Sequence, residues 1–279
     1  MSDHGVAPLA FVTGWPIGHT RSPALHSHWL KRYGIDGQYL PLPISPQDFE
    51  GALRMLGRVG FAGGNVTIPH KVAAFEVADE TTDRARRLGA ANTIVYDADR
   101  GIVADNTDGF GFIENLRSAR PDWSGIEGPA VVLGAGGASR AIVAALLDVG
   151  VPELRLSNRT KSKAEAIAAE LGGQVTVIDW DDIEASFDGA KLIVNTTSMG
   201  MQGGPSLSLM LEGLSNDALA TDAVYTPVDT PFLKLARSKG AHTVDGLGML
   251  LHQARPGFAA WFGREPQVDE ALRRAVLAV

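Results

Sequence analysis

Four short polar motifs in the first half of the chain carry side chains that could hold a small, highly polar molecule. They read His19-Thr20-Arg21-Ser22-Pro23, Asn65-Val66-Thr67-Ile68-Pro69-His70-Lys71, Ala91-Asn92-Thr93 and Asp105-Asn106-Thr107-Asp108-Gly109. Hydroxyls beside free backbone donors at a helix start, as at Thr20 and Ser22, could bind a carboxylate. In an extended run, Asn65 and Thr67 point to the same side. Together the motifs offer hydroxyl, amide, carboxylate and ammonium groups, the set needed to bind a polyhydroxylated acid.

The same motifs have structural explanations that the sequence leaves open. Ser22 followed by Pro23 is typical of a helix N-cap with proline at the first helical position. Asp108 lies in a run of short polar residues that favour loops and caps, so it could cap the next helix. Lys71 is expected at a turn or helix start, where a cation gains nothing from the helix dipole. A purely structural role is therefore harder to assign to Lys71 than to the other residues.

A glycine-rich segment in the middle of the chain predicts a dinucleotide site. The apolar run Ala130–Leu133 leads directly into Gly134-Ala135-Gly136-Gly137-Ala138-Ser139, and a helical pattern follows. Such a strand-to-helix turn brings backbone N–H groups close to a pyrophosphate at the positive end of the helix. Ser139 occupies the third position of the glycine fingerprint and is small enough for close packing of helix and strand.

The residues after the next predicted strand indicate which dinucleotide is bound. A site for NAD usually has Asp or Glu there, which accepts hydrogen bonds from the ribose 2′-hydroxyl. Here the chain reads Asn158-Arg159-Thr160 with Lys163 close behind, so two cations take the place of a carboxylate. Charge-assisted hydrogen bonds, worth ~1.5–3 kcal/mol each, would favour the 2′-phosphate of NADP. The alternative is that Arg159 and Lys163 are solvent-exposed residues of a surface turn and helix start that bind no ligand.

The elements that would position these residues alternate between apolar, β-rich runs and helical patterns. Strands separated by helices imply βαβ units and a parallel sheet covered on both faces, hence an α/β protein. The segment Pro121–Pro129, rich in glycine and proline, is expected to connect two domains. The predicted strands are Leu9–Thr13, Phe61–Val66, Ala91–Tyr96, Ala130–Leu133, Leu154–Ser157, Val175–Ile178, Leu192–Asn195 and Ala218–Val224. The predicted helices are Ser22–Tyr33, Gly109–Ser118, Ala138–Asp148, Ser162–Leu171, Leu247–Trp261 and Val268–Ala278.

Composition narrows the classes of function. The chain has 279 residues, a formal net charge of −7 and no cysteine. The negative charge argues against nucleic acid or a polybasic membrane surface as partner. The missing cysteines exclude disulfides and thiolate chemistry, and with no secretion signal recognised we expect a cytoplasmic protein. His26 and His28 would face different ways on a helix, and no metal site is expected.

Further motifs in the second half complete an ordered series that resembles the shikimate dehydrogenase family. They are Asn-Thr-Thr-Ser at 195–198, Asp-Ala-Val-Tyr-Thr-Pro at 222–227 and Asp-Gly-Leu-Gly-Met-Leu at 245–250. With the polar motifs, the glycine turn and Asn158-Arg159-Thr160, the series spans nearly the whole chain in family order. The resemblance implies NADP-linked, reversible reduction of 3-dehydroshikimate to shikimate, in aromatic amino-acid biosynthesis.

The resemblance also implies a two-domain architecture. An N-terminal α/β substrate domain would comprise residues 1–120 plus 246–279, because the C-terminal helices pack back on it. A Rossmann-like, doubly wound NADP-binding domain would comprise residues 121–245. The small-molecule substrate would lie between the two domains, in a monomer or a homodimer.

The family's functional residues carry over to matching positions of this chain. Lys71 and Asp108 would form the catalytic pair, in which the lysine protonates the alkoxide that hydride transfer creates and the carboxylate orients it. Substrate contacts are implied for a carboxylate-binding set and a hydroxyl-binding set, which are Thr20, Ser22 and Tyr225, and Asn65, Thr67, Asn92 and Gln253. Cofactor contacts are implied for Gly134, Ala135, Gly136, Gly137, Ala138, Ser139, Asn158, Arg159, Thr160 and Lys163, with Gly246 near the nicotinamide.

Two departures from the family pattern leave rival functions open. Thr20 stands where serine is usual, so a paralogue acting on quinate or another shikimate-like acid is a rival. Lys163 stands where some members have a second arginine, which replaces a planar fork with a point charge. A non-enzymatic NADP sensor would explain residues 130–163 but not Lys71 and Asp108, and a folate-linked dehydrogenase would not need the carboxylate-binding hydroxyls.

Overall fold

The computed structural model describes residues 7–172, 174–201, 203–205 and 207–279. Contacts between Cα atoms divide the chain into two compact units. The first unit runs to Thr107 and resumes at Leu251–Val279, and the second unit is Asp108–Leu250. The functional domain boundaries that the sequence suggests, 1–120 plus 246–279 and 121–245, stay a prediction.

Short strands and helices follow one another along the first unit, and the sequence predicted four of these ten elements. In chain order they are β1 (Leu9–Gly14), α1 (Ser22–Tyr33), β2 (Gln38–Pro43), α2 (Phe49–Arg58), β3 (Phe61–Val66), α3 (Lys71–Val77), β4 (Glu80–Thr81), α4 (Asp83–Leu88), β5 (Thr93–Asp97) and β6 (Gly101–Asp105).

The sheet of the first unit is mixed, in the order β2-β1-β3-β5-β6-β4. Strand β1 is parallel to β2 and β3, whereas β5 is antiparallel to both β3 and β6. Strands β5 and β6 form a hairpin whose turn is closed by Asp97, which accepts hydrogen bonds from the backbone N–H groups of Asp99 and Arg100. So short a connection cannot make the crossover that parallel strands need. Gly101, with a φ of +75°, begins the return strand.

The second unit and the C-terminal segment repeat the alternation more regularly. Their elements are α5 (Asp108–Ala119), β7 (Ala130–Leu133), α6 (Gly137–Asp148), β8 (Leu154–Ser157), α7 (Lys161–Leu171), β9 (Val175–Ile178), a 3₁₀ segment (Trp180–Phe187), β10 (Leu192–Asn195), β11 (Leu219–Asp222), α8 (Pro231–Ser238), β12 (His242–Val244), α9 (Leu247–Phe262) and α10 (Glu270–Leu277).

The sheet of the second unit is parallel throughout, in the order β12-β11-β10-β7-β8-β9. This is the doubly wound, Rossmann-type order, in which the chain reverses its winding direction between β7 and β10. Along β7, Val132 packs into a core with α5, α6 and α7, and Val131 packs into a second core with Phe187 and Phe232. Both faces of the strand are therefore covered, which explains its uninterrupted apolar sequence.

The C-terminal helices pack within the first unit, as the family resemblance implies. The indole Nε1 of Trp261 on α9 donates to the carbonyl of Ile94 at 2.8 Å. Gly63 makes room for this indole, because a Cβ there would lie 2.2 Å from the same nitrogen. Helix α10 lies against α1, where Asp269 pairs with Arg32.

Candidate active site

The ends of β3 and β5 bring several predicted substrate residues of the first unit together. Asn65 on β3 is paired with Thr93 on β5, so Asn92, just before β5, lies beside the end of β3. The side-chain Oδ1 of Asn92 accepts hydrogen bonds from the backbone N of Thr107 at 2.9 Å and from its hydroxyl at 3.1 Å. Its Nδ2 donates to Oε1 of Gln253 at 3.2 Å. Asn65, Asn92 and Gln253 thus belong to one polar cluster.

Asn65 is fixed in this cluster by three hydrogen bonds. Its Nδ2 donates to the carbonyl of Asn92 at 3.1 Å and to the hydroxyl of Thr93 at 3.3 Å. Its Oδ1 accepts from the phenol of Tyr39 at 2.6 Å. Tyr39 was not predicted from the sequence, because it lies in the edge strand β2, which the apolar pattern did not reveal.

Thr20 and Ser22 lie at the start of α1. The backbone N of Ser22 donates to Oγ1 of Thr20 at 3.3 Å. Arg21 is the N-cap and Ser22 is the first helical residue, so the alternative that Ser22 itself caps the helix is wrong. The Arg21 side chain makes no capping hydrogen bond, so the helix start and the Thr20 and Ser22 hydroxyls beside it could still receive an anion.

Thr67 and Lys71 follow β3 along the same chain segment. Thr67 is half-buried, and its backbone N donates to the carbonyl of Thr13 at 2.9 Å. Lys71 is the first residue of α3, which confirms its expected place at a helix start. Its carbonyl accepts from the backbone N of Ala91 at 2.8 Å, and this bond ties the start of α3 to the residue before Asn92.

The glycine turn of the second unit has the shape expected of a pyrophosphate site. Gly134 has a φ of +107°, and a Cβ there would lie 2.5 Å from Oγ1 of Thr196. The hydroxyl of the buried Ser139 donates to the carbonyl of Gly134 at 2.5 Å and braces the turn. Gly136 and Gly137 are exposed, with open space where a Cβ would stand. Backbone N–H groups at the start of α6 are therefore approachable, and the residues fit a dinucleotide.

Asn158 connects this turn to the predicted 2′-phosphate site. Its Oδ1 accepts from the backbone N of Ala135 at 3.2 Å, and its Nδ2 donates to the carbonyl of Thr160 at 2.8 Å. Arg159 and Lys163 are exposed, and no ion pair is formed by either one in the described ranges. Lys161, between them, pairs with Asp179 at 2.8 Å. Two of the three cations are thus available to a phosphate.

A buried polar network closes the carboxyl ends of β10 and β11 and was not predicted. Asp222 accepts from Nδ2 of Asn195 at 3.0 Å, from the backbone N of Val224 at 2.9 Å and from the hydroxyl of Thr230 at 2.7 Å. Burial raises the pKa of Asp222, and these hydrogen bonds oppose the shift. Its signal in the sequence was an aspartate at the end of an apolar strand.

The remaining predicted residues of the second unit lie at element boundaries. Gly246 precedes α9, and a Cβ there would lie 2.4 Å from the carbonyl oxygen of Asp222, so only glycine fits. Tyr225 is half-buried in the segment after β11. Asp108 is the first residue of α5 and is buried. Lys71 belongs to the first unit and Asp108 to the second, so their pairing stays a prediction.

Among residues 7–172, 174–201, 203–205 and 207–279, no helix is both long and apolar enough to span a bilayer. In the same ranges, no group of three or more His, Cys, Asp or Glu side chains could hold a metal ion.

Three family models match the chain in order. They are the shikimate dehydrogenase substrate binding domain at residues 12–94, shikimate / quinate 5-dehydrogenase at 124–201 and the shikimate 5′-dehydrogenase C-terminal domain at 246–277. The chain is 57% identical to a shikimate dehydrogenase (NADP(+)) of Paracoccus denitrificans, over 98% of this chain and 96% of that one. A shikimate dehydrogenase (NADP(+)) of Rhodospirillum rubrum is 56% identical, over 98% of both chains.

Solved structures agree with these matches. A quinate dehydrogenase from Corynebacterium glutamicum in complex with NAD superposes with a TM-score of 0.91 at 32% identity, covering 98% of this chain and 99% of that one. A shikimate 5-dehydrogenase from Thermus thermophilus in complex with NADP(H) and shikimate gives 0.84 at 35% identity, covering 96% and 99%. The chain belongs to the shikimate dehydrogenase family.

Proposed function

We propose that the protein catalyses the reversible, NADP-linked reduction of 3-dehydroshikimate to shikimate, a step in aromatic amino-acid biosynthesis. The observation that carries the proposal is the polar cluster of Asn65, Asn92 and Gln253 in the first unit, joined by hydrogen bonds of 3.1 and 3.2 Å. Amides held in this way recognise hydroxyl groups rather than apolar surface. Relatives at 56–57% identity that bear the name shikimate dehydrogenase (NADP(+)) support the same substrate and cofactor.

NADP is the proposed cofactor, and it supplies the hydride acceptor or donor of the reaction. The pyrophosphate would be held by the glycine turn, whose residues are Gly134, Ala135, Gly136, Gly137, Ala138 and Ser139. The exposed cations Arg159 and Lys163 would bind the 2′-phosphate. The hydrogen bonds of Asn158, one of them to Thr160, would hold the turn that carries Arg159. Gly246, where the backbone at the end of β11 excludes any side chain, is the proposed neighbour of the nicotinamide.

Lys71 and Asp108 are the proposed catalytic pair. When a ketone gains a hydride, its oxygen must also gain a proton, and the ammonium of Lys71 is the proposed donor. In the reverse direction the same nitrogen would accept the proton of the alcohol. A carboxylate next to an ammonium favours its charged form, and this is the proposed role of Asp108. Because the two groups would titrate together, the proton belongs to the pair.

The substrate contacts follow the two halves of a hydroxylated acid. Thr20, Ser22 and Tyr225 would bind the carboxylate, and the positive end of the α1 dipole, where Thr20 and Ser22 lie, favours an anion. Asn65, Thr67, Asn92 and Gln253 would bind the hydroxyls. The proposed location is the cytoplasm, and the proposed assembly is a monomer or a homodimer without nucleic-acid or membrane partners.

Quinate oxidation is the second candidate, favoured by the similarity to a quinate dehydrogenase structure with a TM-score of 0.91. The purified protein should be offered NADP⁺ with shikimate or with quinate, and NADPH formation should be followed by absorbance. The proposal predicts turnover with shikimate and a much lower kcat/KM with quinate. A preference for quinate would replace the proposed substrate, and no reduction of NADP⁺ with either acid would refute the enzymatic function.

A further inference from the structure

Tyr39 is a buried phenol in contact with two of the proposed substrate residues. Its hydroxyl donates to Oδ1 of Asn65 at 2.6 Å, and the residue is only 4% exposed. Burial raises the pKa of Tyr39 well above its usual range, and the adjacent Ser22 hydroxyl only partly opposes this shift. The phenol therefore keeps its proton near neutral pH, and it donates that proton to Asn65.

The hydrogen bond from Tyr39 is one of three that together fix the orientation of the Asn65 side-chain amide. Both hydrogens of Nδ2 are used, one on the carbonyl of Asn92 and one on the hydroxyl of Thr93. If the amide were flipped, Oδ1 would face the carbonyl of Asn92, and two acceptors would oppose each other. Oδ1 is therefore held on the side of Tyr39. With both donors spent, this amide can meet a ligand only through Oδ1, as a hydrogen-bond acceptor.

The ring of Tyr39 is held in place by His26. The two rings are stacked, with centroids 3.9 Å apart and planes inclined by 9°. Trp29, Phe258 and Trp261 surround the imidazole at 5.6–5.9 Å. Burial lowers the pKa of His26 to about 3, so the imidazole is neutral and does not repel or protonate its neighbours near neutral pH. The stack restricts the phenol to one position and leaves its hydroxyl directed at Asn65.

We propose that Tyr39 is a positioning residue for substrate recognition, which acts by holding the Asn65 amide with its oxygen presented as an acceptor. The inference rests on the proposed function, because it takes Asn65 as a substrate contact. It adds that the substrate group facing Asn65 must be a hydrogen-bond donor, a hydroxyl and not a carbonyl. Because this substrate hydroxyl does not react, we expect Tyr39 and Asn65 to stabilise the bound substrate and the transition state equally.

The test is Tyr39→Phe, with Tyr96→Phe as the matched control. Phenylalanine keeps the ring volume and the stack on His26 and removes only the hydroxyl, so we expect the variant to fold. Tyr96 is a partly buried phenol of the first unit, and its hydroxyl donates to the carbonyl of Leu53 at 2.5 Å, away from the polar cluster. Each variant loses one phenol hydrogen bond, buried for Tyr39 and part-buried for Tyr96, and thermal unfolding should show a loss of stability in both.

Steady-state kinetics with shikimate and NADP⁺ should separate the two variants. For Tyr39→Phe we expect KM for shikimate to rise about tenfold, as for loss of one well-formed hydrogen bond in a binding site. The kcat value and KM for NADP⁺ should stay within about twofold of wild type, because uniform binding is lost and not transition-state stabilisation. For Tyr96→Phe all three constants should stay at wild-type values.

A double-mutant cycle with Asn65→Ala shows whether Tyr39 acts through Asn65. In the Asn65→Ala background, Tyr39→Phe should add no further increase in KM. The proposal is overturned if Tyr39→Phe alone leaves KM unchanged, if its full effect persists without Asn65, or if Tyr96→Phe raises KM as much. A wild-type protein that neither binds nor oxidises shikimate would instead refute the proposed function, and the inference with it.

Discussion

Replacing Arg159 with alanine should change the choice between NADPH and NADH. Arg159 is exposed at the turn before α7 and, over the residues that the structure describes, forms no ion pair. Its guanidinium is therefore not engaged by a protein carboxylate and can bind the 2′-phosphate that only NADPH carries. NADH lacks this group, so the loss of Arg159 should leave its binding almost unchanged.

The expected size of the effect follows from the exposure of the site. A charge-assisted hydrogen bond to phosphate can contribute about tenfold to a hundredfold in affinity, and solvent screening favours the lower figure. We therefore expect Arg159→Ala to raise KM for NADPH about tenfold and to change KM for NADH less than about twofold. Lys163, nearby on α7, would retain part of the selectivity.

Lys161→Ala is the matched control, because the same helix start then loses a cation that is already paired with Asp179. Initial rates of 3-dehydroshikimate reduction should be measured with each coenzyme for wild type and both variants. The selectivity for NADPH over NADH should fall in Arg159→Ala and should stay at the wild-type value in Lys161→Ala. Equal changes in KM for NADPH and NADH, or an equal effect of the two substitutions, would refute the assignment of Arg159 to the 2′-phosphate.

Two further predictions concern the first unit. Lys71→Ala should lower kcat by about two to four orders of magnitude, which is the usual contribution of a general acid. The affinity for NADPH, measured by fluorescence titration, should not change. A variant with near-normal turnover would show that Lys71 is not catalytic. His26→Phe should make the free energy of unfolding depend less on pH below about pH 6.5. The pKa of His26 is lowered from 6.5 to about 3, so below pH 6.5 the unfolded chain binds a proton that the native protein does not. Between about pH 6.5 and 5, the free energy of unfolding measured with urea should fall by about 1.5 kcal/mol more in wild type than in the variant. If this free energy changed with pH equally in the two proteins, the prediction would be wrong.

The sequence predicts the second unit better than the first. Strands Ala130–Leu133, Leu154–Ser157, Val175–Ile178 and Leu192–Asn195 are confirmed at both ends. They are buried on both faces or bounded by helices with clear periodicity, so an apolar run is sufficient to identify them. Helix starts at Gly137 and Lys161 fall one residue earlier than predicted.

In the first unit, several elements gave too weak a pattern. Strand β2 contains Pro41 and Pro43, which its place at the edge of the sheet tolerates but which argue against a strand in sequence alone. Strand β5 runs antiparallel to β3 and, through a tight turn, to β6, which makes the sheet mixed rather than wholly parallel. Hairpins of this kind depend on turn geometry, which the alternation of strands and helices did not indicate.

The site was predicted from motifs, but its geometry was not. Asn92 and Gln253 are 161 residues apart in the chain, and nothing local indicates that their side chains share a hydrogen bond. The third partner of Asn65, Tyr39, was equally hidden, because it belongs to no motif and lies in an edge strand. Asp222 was visible in the sequence as an aspartate at the end of an apolar strand and as part of the family series, but its buried network depends on the neighbouring strand β10.

Transfer of an isotopic label tests the central claim most directly. The wild-type protein should be incubated with NADP⁺ and shikimate that carries deuterium on carbon 3, the carbon that becomes the ketone. The account predicts that the deuterium appears in the nicotinamide ring of NADPH, in a one-to-one ratio with 3-dehydroshikimate formed. Deuterium released to water, or 3-dehydroshikimate formed without labelled NADPH, would contradict it.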